Sequence, residues 1–179
     1  MRTVYMCPMD DHFTRPIRAG HIKDAPQEHV LVAGPELRAE LALRFGLPEI
    51  ALLRGEFKLQ HERSGVIAAQ LRMQAKVTQT CVVTLEPFEA RIEETTALRF
   101  VPAASLPESE GEELDAETLD GPDEIPYTGD LIDLSAALAE QLALALDPYP
   151  RKPGAKLPAE YLDEQENPFA VLKAKKPEK

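Results

Sequence analysis

Alternation of apolar and polar side chains constrains the fold of this chain more than any other feature. In residues 66–78 one face of the predicted strand carries six apolar side chains: Ile67, Ala69, Leu71, Met73, Ala75 and Val77. The opposite face carries five polar or charged side chains: Gln70, Arg72, Gln74, Lys76 and Thr78. This period of two is typical of an antiparallel sheet with one face in the core and one in solvent.

Two further runs share the pattern. Residues 56–63 place Phe57 and Leu59 on one face, and Ser64-Gly65 predicts the turn that follows. After the next turn, five apolar residues share one parity, interrupted by Glu94 and Thr96: Phe88, Ala90, Ile92, Leu98 and Phe100. Three consecutive strands joined by short turns predict a β meander. Shorter strands are expected at 13–18 and 28–33.

Helical periodicity predicts two main helices, at about 35–45 and 133–147. Pro35 suits the first position of a helix and Gly46 its end, with Leu37, Leu41 and Phe45 on one face. The second helix has an N-cap at Asp133, a stop at Pro148, and an apolar stripe formed by Leu134, Leu138, Leu142 and Ala145. The predicted fold is α+β: an antiparallel meander with two helices. A sheet curled toward a barrel stays an open alternative.

The net charge of −11 is concentrated in one part of the chain. No Lys or Arg occurs between Arg99 and Arg151, whereas residues 100–150 hold thirteen acids. Residues 103–129 are acidic, rich in Pro and Gly, and poor in large apolar side chains, which predicts a flexible acidic loop. Such a segment repels phosphate backbones and attracts basic proteins.

The length of 179 residues suits a single domain with a tail. We predict an α+β domain over 1–150 and an extended tail over 151–179, with a short helical patch at 167–173. The chain has no apolar run near the ~20 residues that a membrane span needs, and its N-terminus lacks a signal-peptide core. The expected location is therefore cytoplasmic, without a membrane partner.

No motif of a catalytic centre is present. The four histidines have no metal-binding spacing, and there is no P-loop, no G-x-S-x-G and no G-x-G-x-x-G. Cys7 and Cys81 are expected to be free thiols, and Cys81 to be a small core residue. A Cys81 nucleophile is the less favoured alternative. We therefore predict no catalytic, cofactor-binding or metal-binding residue, no cofactor and no small-molecule substrate.

Two basic groups and one apolar patch are the candidate contacts with a partner. Arg15 and Arg18 form the first group, and Arg151 and Lys152 form the second, with Tyr149 beside it. In the tail, Phe169 and Leu172 are apolar residues among charged neighbours, three apart, and could share one face of a short helix.

Two segments in this order resemble a known family. The first is Thr80-Cys81-Val82-Val83-Thr84-Leu85-Glu86-Pro87-Phe88, and the second runs from Ala139 to Asp147-Pro148-Tyr149-Pro150. Together they resemble the YceD family, named for accumulation of the large ribosomal RNA subunit, in its alphaproteobacterial branch. Many members carry a C-x-x-C where this chain has Cys81-Val82-Val83-Thr84. One remaining thiolate cannot form a structural zinc site, so any contact between the two segments is expected to rest on apolar packing.

The resemblance implies a non-enzymatic role in large-subunit ribosomal RNA accumulation and ribosome assembly. The favoured partner is a basic ribosomal protein or a pre-ribosomal particle, with ribosomal RNA contacted indirectly. Direct RNA binding through Arg15, Arg18, Arg151 and Lys152 is the alternative, and an enzyme that depends on Cys81 is the third.

Overall fold

A computed structural model describes residues 16–105 and 121–156. Five strands form the main sheet in the order β2-β3-β4-β5-β6. Their bounds are β2 Gln27–Val32, β3 Glu49–His61, β4 Ile67–Thr80, β5 Pro87–Pro102 and β6 Asp123–Tyr127. A separate two-stranded sheet pairs β1 (Pro16–Arg18) with β7 (Leu131–Asp133). Within these ranges β2 and β6 lie at opposite edges, so the sheet is open.

The predicted meander is confirmed and its strands are longer than expected. β3, β4 and β5 pair antiparallel in sequence order, with Phe57 opposite Leu71 in the register. β3 begins at Glu49, seven residues before the alternation that predicted it. Along β4 buried side chains alternate with half-buried or exposed ones, as a sheet with one solvated face requires.

Both predicted helices are confirmed. α1 spans Pro35–Phe45 and ends at Gly46, whose φ of 65° is the left-handed conformation that favours glycine. α2 spans Leu134–Ala145. Asp133 caps it as expected, because its carboxylate accepts hydrogen bonds from the N–H groups of Ser135 (2.9 Å) and Ala136 (3.1 Å).

The core lies between the apolar face of the sheet and the helices. Leu134, Leu138 and Leu142 on α2 are buried, as are Phe57, Leu71 and Leu98 on the sheet. Gly55 on β3 lies directly under Leu138. A methyl group at Gly55 would stand 2.8 Å from Leu138 Cδ1 and 3.2 Å from Leu71 Cδ1. The glycine thus allows α2 to pack close against the sheet.

The prediction of a loop throughout 103–129 is wrong at its C-terminal end. Residues 123–127 form β6, which pairs parallel with β5. Tyr127 is buried and its hydroxyl donates a hydrogen bond to the Gly65 carbonyl at 2.7 Å, while Ile125 packs against the core. These two side chains offset the polar composition of the segment. Pro126 is tolerated because β6 is an edge strand. Residues 106–120 lie outside the described residues.

Among the described residues, no helix is long and apolar enough to cross a bilayer. Of the expected strand at 13–18, the structure describes Pro16–Arg18 and places it in β1. The expected patch at 167–173 lies outside the described residues.

Candidate binding surface

The turn that joins β4 to β5 is built around Cys81. The Cys81 N–H donates to the Glu86 carbonyl and the Leu85 N–H to the Cys81 carbonyl, both at 2.9 Å. The Cys81 Sγ accepts hydrogen bonds from the N–H groups of Val83 and Thr84 at 3.4 Å. The side chain is completely buried. The thiol therefore satisfies donors of its own turn, which agrees with the structural role expected for it.

The chain that follows α2 lies against this turn. The Val82 N–H donates to the Pro150 carbonyl at 2.9 Å. The side-chain amide of the buried Gln79 donates a hydrogen bond from Nε2 to the Asp147 carbonyl at 3.2 Å, just after the end of the helix. We call residues 79–87 and 147–156 together the Cys81 joint. It unites the two segments on which the family resemblance depends.

An ion pair also connects the two halves of the joint. The Lys152 Nζ lies 2.8 Å from the Glu86 Oε2, with both side chains about half exposed. The hydrogen bond between them lowers the pKa of Glu86 and raises the pKa of Lys152. The two segments, which were expected to meet through apolar packing, are thus also connected by hydrogen bonds and an ion pair.

The joint stabilises the thiolate form of Cys81. A hydrogen bond from the Thr84 side chain contributes most to lowering the pKa of Cys81, and backbone donors that include the Lys152 N–H also lower it. Together these hydrogen bonds outweigh desolvation, which raises the pKa. The pKa of Cys81 falls from its ordinary 9.0 to about 7. A thiolate is a nucleophile, but the burial of this side chain keeps substrates away from it. Within residues 16–105 and 121–156, no group of three or more metal-binding side chains comes together.

The outer surface of the joint exposes three large side chains. Val82 is 46% exposed, Tyr149 72% and Leu85 77%. Tyr149 lies between two prolines, and its N–H donates to the Asp147 carboxylate at 2.8 Å. Leu85 has a φ of 58°, a left-handed conformation that is rare for a leucine. The joint thus fixes the backbone of two exposed apolar side chains and one aromatic side chain.

The structure places Arg18 and Arg151 near opposite ends of α2. Arg18 pairs with Leu131 on β7, which leads into the start of α2, whereas Arg151 follows its end. The helix between Leu131 and Arg151 has 12 residues, so it is roughly 18 Å long at 1.5 Å per residue. Lys152 is engaged with Glu86, so its role is within the joint. Arg15, Phe169 and Leu172 lie outside the described residues.

Val82 and Leu85 were not among the predicted contacts. Both are apolar residues close to Cys81, which was expected to lie in the core, and no pattern in the sequence marks the left-handed backbone at Leu85. Tyr149 had a signal, since an aromatic residue between two prolines beside Arg151 and Lys152 is typical of an exposed turn.

Comparison with known proteins identifies the family. The model of the family described as "Large ribosomal RNA subunit accumulation protein YceD" matches residues 69–175, more than half of the chain. No curated protein and no solved structure matches significantly. The matched region contains most of β4, all of β5 and α2, and both halves of the Cys81 joint. The chain therefore belongs to the YceD family of large ribosomal RNA subunit accumulation proteins.

Proposed function

We propose that this protein is a non-enzymatic factor that supports accumulation of the large-subunit ribosomal RNA by binding a pre-ribosomal particle. One observation carries the proposal: both segments of the family pattern form a single hydrogen-bonded joint that exposes Val82, Leu85 and Tyr149. Exposed apolar and aromatic side chains on a fixed backbone are typical of contact surfaces between macromolecules.

The charge of the chain supports a partner with basic regions. Seven acids lie between Glu108 and Asp120, and Asp123 and Glu124 follow at the start of β6. A surface of this sign attracts the cationic proteins of a ribosomal precursor and speeds their encounter with the chain. In this proposal the acidic segment supplies attraction, and the Cys81 joint supplies specificity.

The test uses the tagged full chain in growing cells. Lysates are separated on density gradients at low and at high salt, and the ratio of large- to small-subunit ribosomal RNA is measured with and without the protein. We expect the chain to sediment with large-subunit precursors and the ratio to fall when the protein is removed. An unchanged ratio, together with a chain that stays at the top of the gradient, would contradict the proposal.

A variant without the acidic charge tests whether the acidic segment recruits the partner independently of folding. Replacement of the acids between Glu108 and Asp120 by the corresponding amides keeps side-chain size and removes charge. We expect the melting temperature to stay unchanged and particle association to weaken. Association that is as strong as in the unaltered protein would show that the acidic segment does not recruit the partner.

A further inference from the structure

The exposed end of the Cys81 joint combines an aromatic ring with cations. Tyr149, Arg151 and Lys156 are all exposed. The Ala155 N–H donates to the Lys152 carbonyl at 3.0 Å, and Gly154 has a φ of 79°. This turn reverses the chain, which keeps Lys156 near Lys152 rather than extended away from the joint.

The two outer cations differ from Lys152 in their partners. Lys152 is paired with Glu86, whereas Arg151 and Lys156 form no ion pair with any carboxylate in the described part of the chain. Cations of this kind are available to an anionic partner. Because the chain as a whole carries −11, a polyanion can approach only where the local charge is positive.

Leu85 indicates that the joint is built for contact rather than for stability. A left-handed conformation costs a leucine roughly 1–2 kcal/mol, and glycine adopts it freely. With 77% of its side chain exposed, Leu85 recovers little of that cost by burial. Backbone strain at an exposed apolar side chain is a feature of binding surfaces.

We propose that the Cys81 joint binds a single-stranded segment of RNA, with a base stacked on Tyr149 and phosphates contacted by Arg151 and Lys156. This deepens the proposed function and depends on it, since it names the partner component that the joint recognises. Stacking on an exposed ring accepts any unpaired base, and the adjacent cations follow the backbone. A duplex offers no free base face, so single strands are favoured.

In this binding mode the three neighbouring cations have different roles. Arg151 and Lys156 contact phosphate, so their removal lowers the salt dependence of RNA binding. Lys152 holds the joint together through Glu86, so its removal affects RNA binding only through the position of the turn. Exposed Val82 and Leu85 provide an apolar surface beside the stacked base.

The experiment measures fluorescence anisotropy of the full chain with a labelled oligouridine of about 12 nucleotides, within the usual site size of single-strand binders. A 12-base-pair RNA duplex and a transcript of the large-subunit ribosomal RNA are the other probes. The variants are Tyr149→Ala, Tyr149→Phe and the double change Arg151→Gln with Lys156→Gln. Leu43→Ala and Arg44→Gln are the matched controls, because both residues are exposed on α1.

We expect the single strand to bind more tightly than the duplex. Tyr149→Ala should weaken binding about tenfold, and Tyr149→Phe should keep it within about twofold, since the ring that stacks is retained. Removing two phosphate contacts should flatten the slope of log K against log salt by about 1.4, at ~0.7 per contact. Both controls on α1 should bind like the unaltered chain.

Three results would overturn the inference: no binding to the oligouridine or the transcript at about 50 mM salt, equal affinity for the duplex, or full binding by Tyr149→Ala. If the unaltered chain binds no RNA but Tyr149→Ala loses association with particles, the joint binds a protein partner instead. Failure of the proposed function is distinguishable, because the unaltered chain would then not sediment with particles at all.

Discussion

The close packing of α2 on the sheet at Gly55 leads to a quantitative prediction for Gly55→Ala. A methyl group there would stand 2.8 Å from one terminal carbon of Leu138 and 3.2 Å from the other. Leu138 is only 3% exposed and Leu71 1%, so neither side chain has room to move aside. An additional methyl group in a packed core costs about 1–3 kcal/mol.

Part of this cost is offset because alanine is favoured over glycine in a strand by about 0.5–1 kcal/mol. We therefore expect Gly55→Ala to lower the free energy of unfolding by about 1–2 kcal/mol and the melting temperature by about 3–6 °C. Gly20→Ala is the matched control: its methyl group would stand 3.5 Å from an Asp130 carboxylate oxygen, an ordinary contact, and should change stability by less than about 0.5 kcal/mol.

A double-mutant cycle tests whether Leu138 is the cause. Leu138→Ala alone should cost about 2–5 kcal/mol because it leaves a cavity. Combined with Gly55→Ala, the new methyl group occupies part of that cavity, and the double variant should be about 1 kcal/mol more stable than the sum of the single changes. Chemical denaturation measures all four proteins. A neutral Gly55→Ala, or strict additivity, would refute the packing of α2 on β3.

Three further predictions follow from single contacts. Asp133→Ala should cost about 1 kcal/mol of unfolding free energy in urea melts, because two N–H groups at the start of α2 lose their acceptor; an unchanged midpoint would contradict this. Tyr127→Phe should cost about 1 kcal/mol by removing the hydrogen bond to Gly65; full stability would show that β6 contributes nothing there. The lowered pKa of Cys81, about 7 against 9.0, should make unfolding free energy rise between pH 7 and pH 9, and this contribution is lost as pH falls through 7. Cys81→Ala should remove that rise, and a rise that persists in the variant would assign it to other groups.

The main elements of the fold could be predicted because each has a local signature. The alternation from Ile67 to Val77 specified β4 and its buried face, and Asp133 and Gly46 marked helix ends through side-chain and backbone chemistry that acts within one turn. The first half of β3 was missed because the run Ile50-Ala51-Leu52-Leu53 does not alternate. Gly55 carried a usable signal, since glycine inside a strand indicates close approach of another element.

The candidate surface could be predicted only in part, for a physical reason. Sequence proximity grouped Arg151 with Lys152, but the partner of Lys152 is Glu86, 66 residues away, and the ion pair removes it from the free surface. β6 was missed because its stability comes from parallel pairing with β5 and from the Tyr127 hydrogen bond to Gly65, both long-range contacts. Neither contact leaves a periodic pattern in the sequence.

Particle association of a variant altered in the Cys81 joint is the most direct test of the joint as a binding surface. Leu85→Gly combined with Tyr149→Ala removes two exposed side chains, and glycine suits the left-handed backbone at Leu85, so the variant should fold within about 1 kcal/mol of the unaltered protein. On density gradients of cell lysates, we expect its association with large-subunit precursors to fall by about tenfold or more. A folded variant that sediments with these particles as the unaltered chain does would contradict the claim that the Cys81 joint is the binding surface.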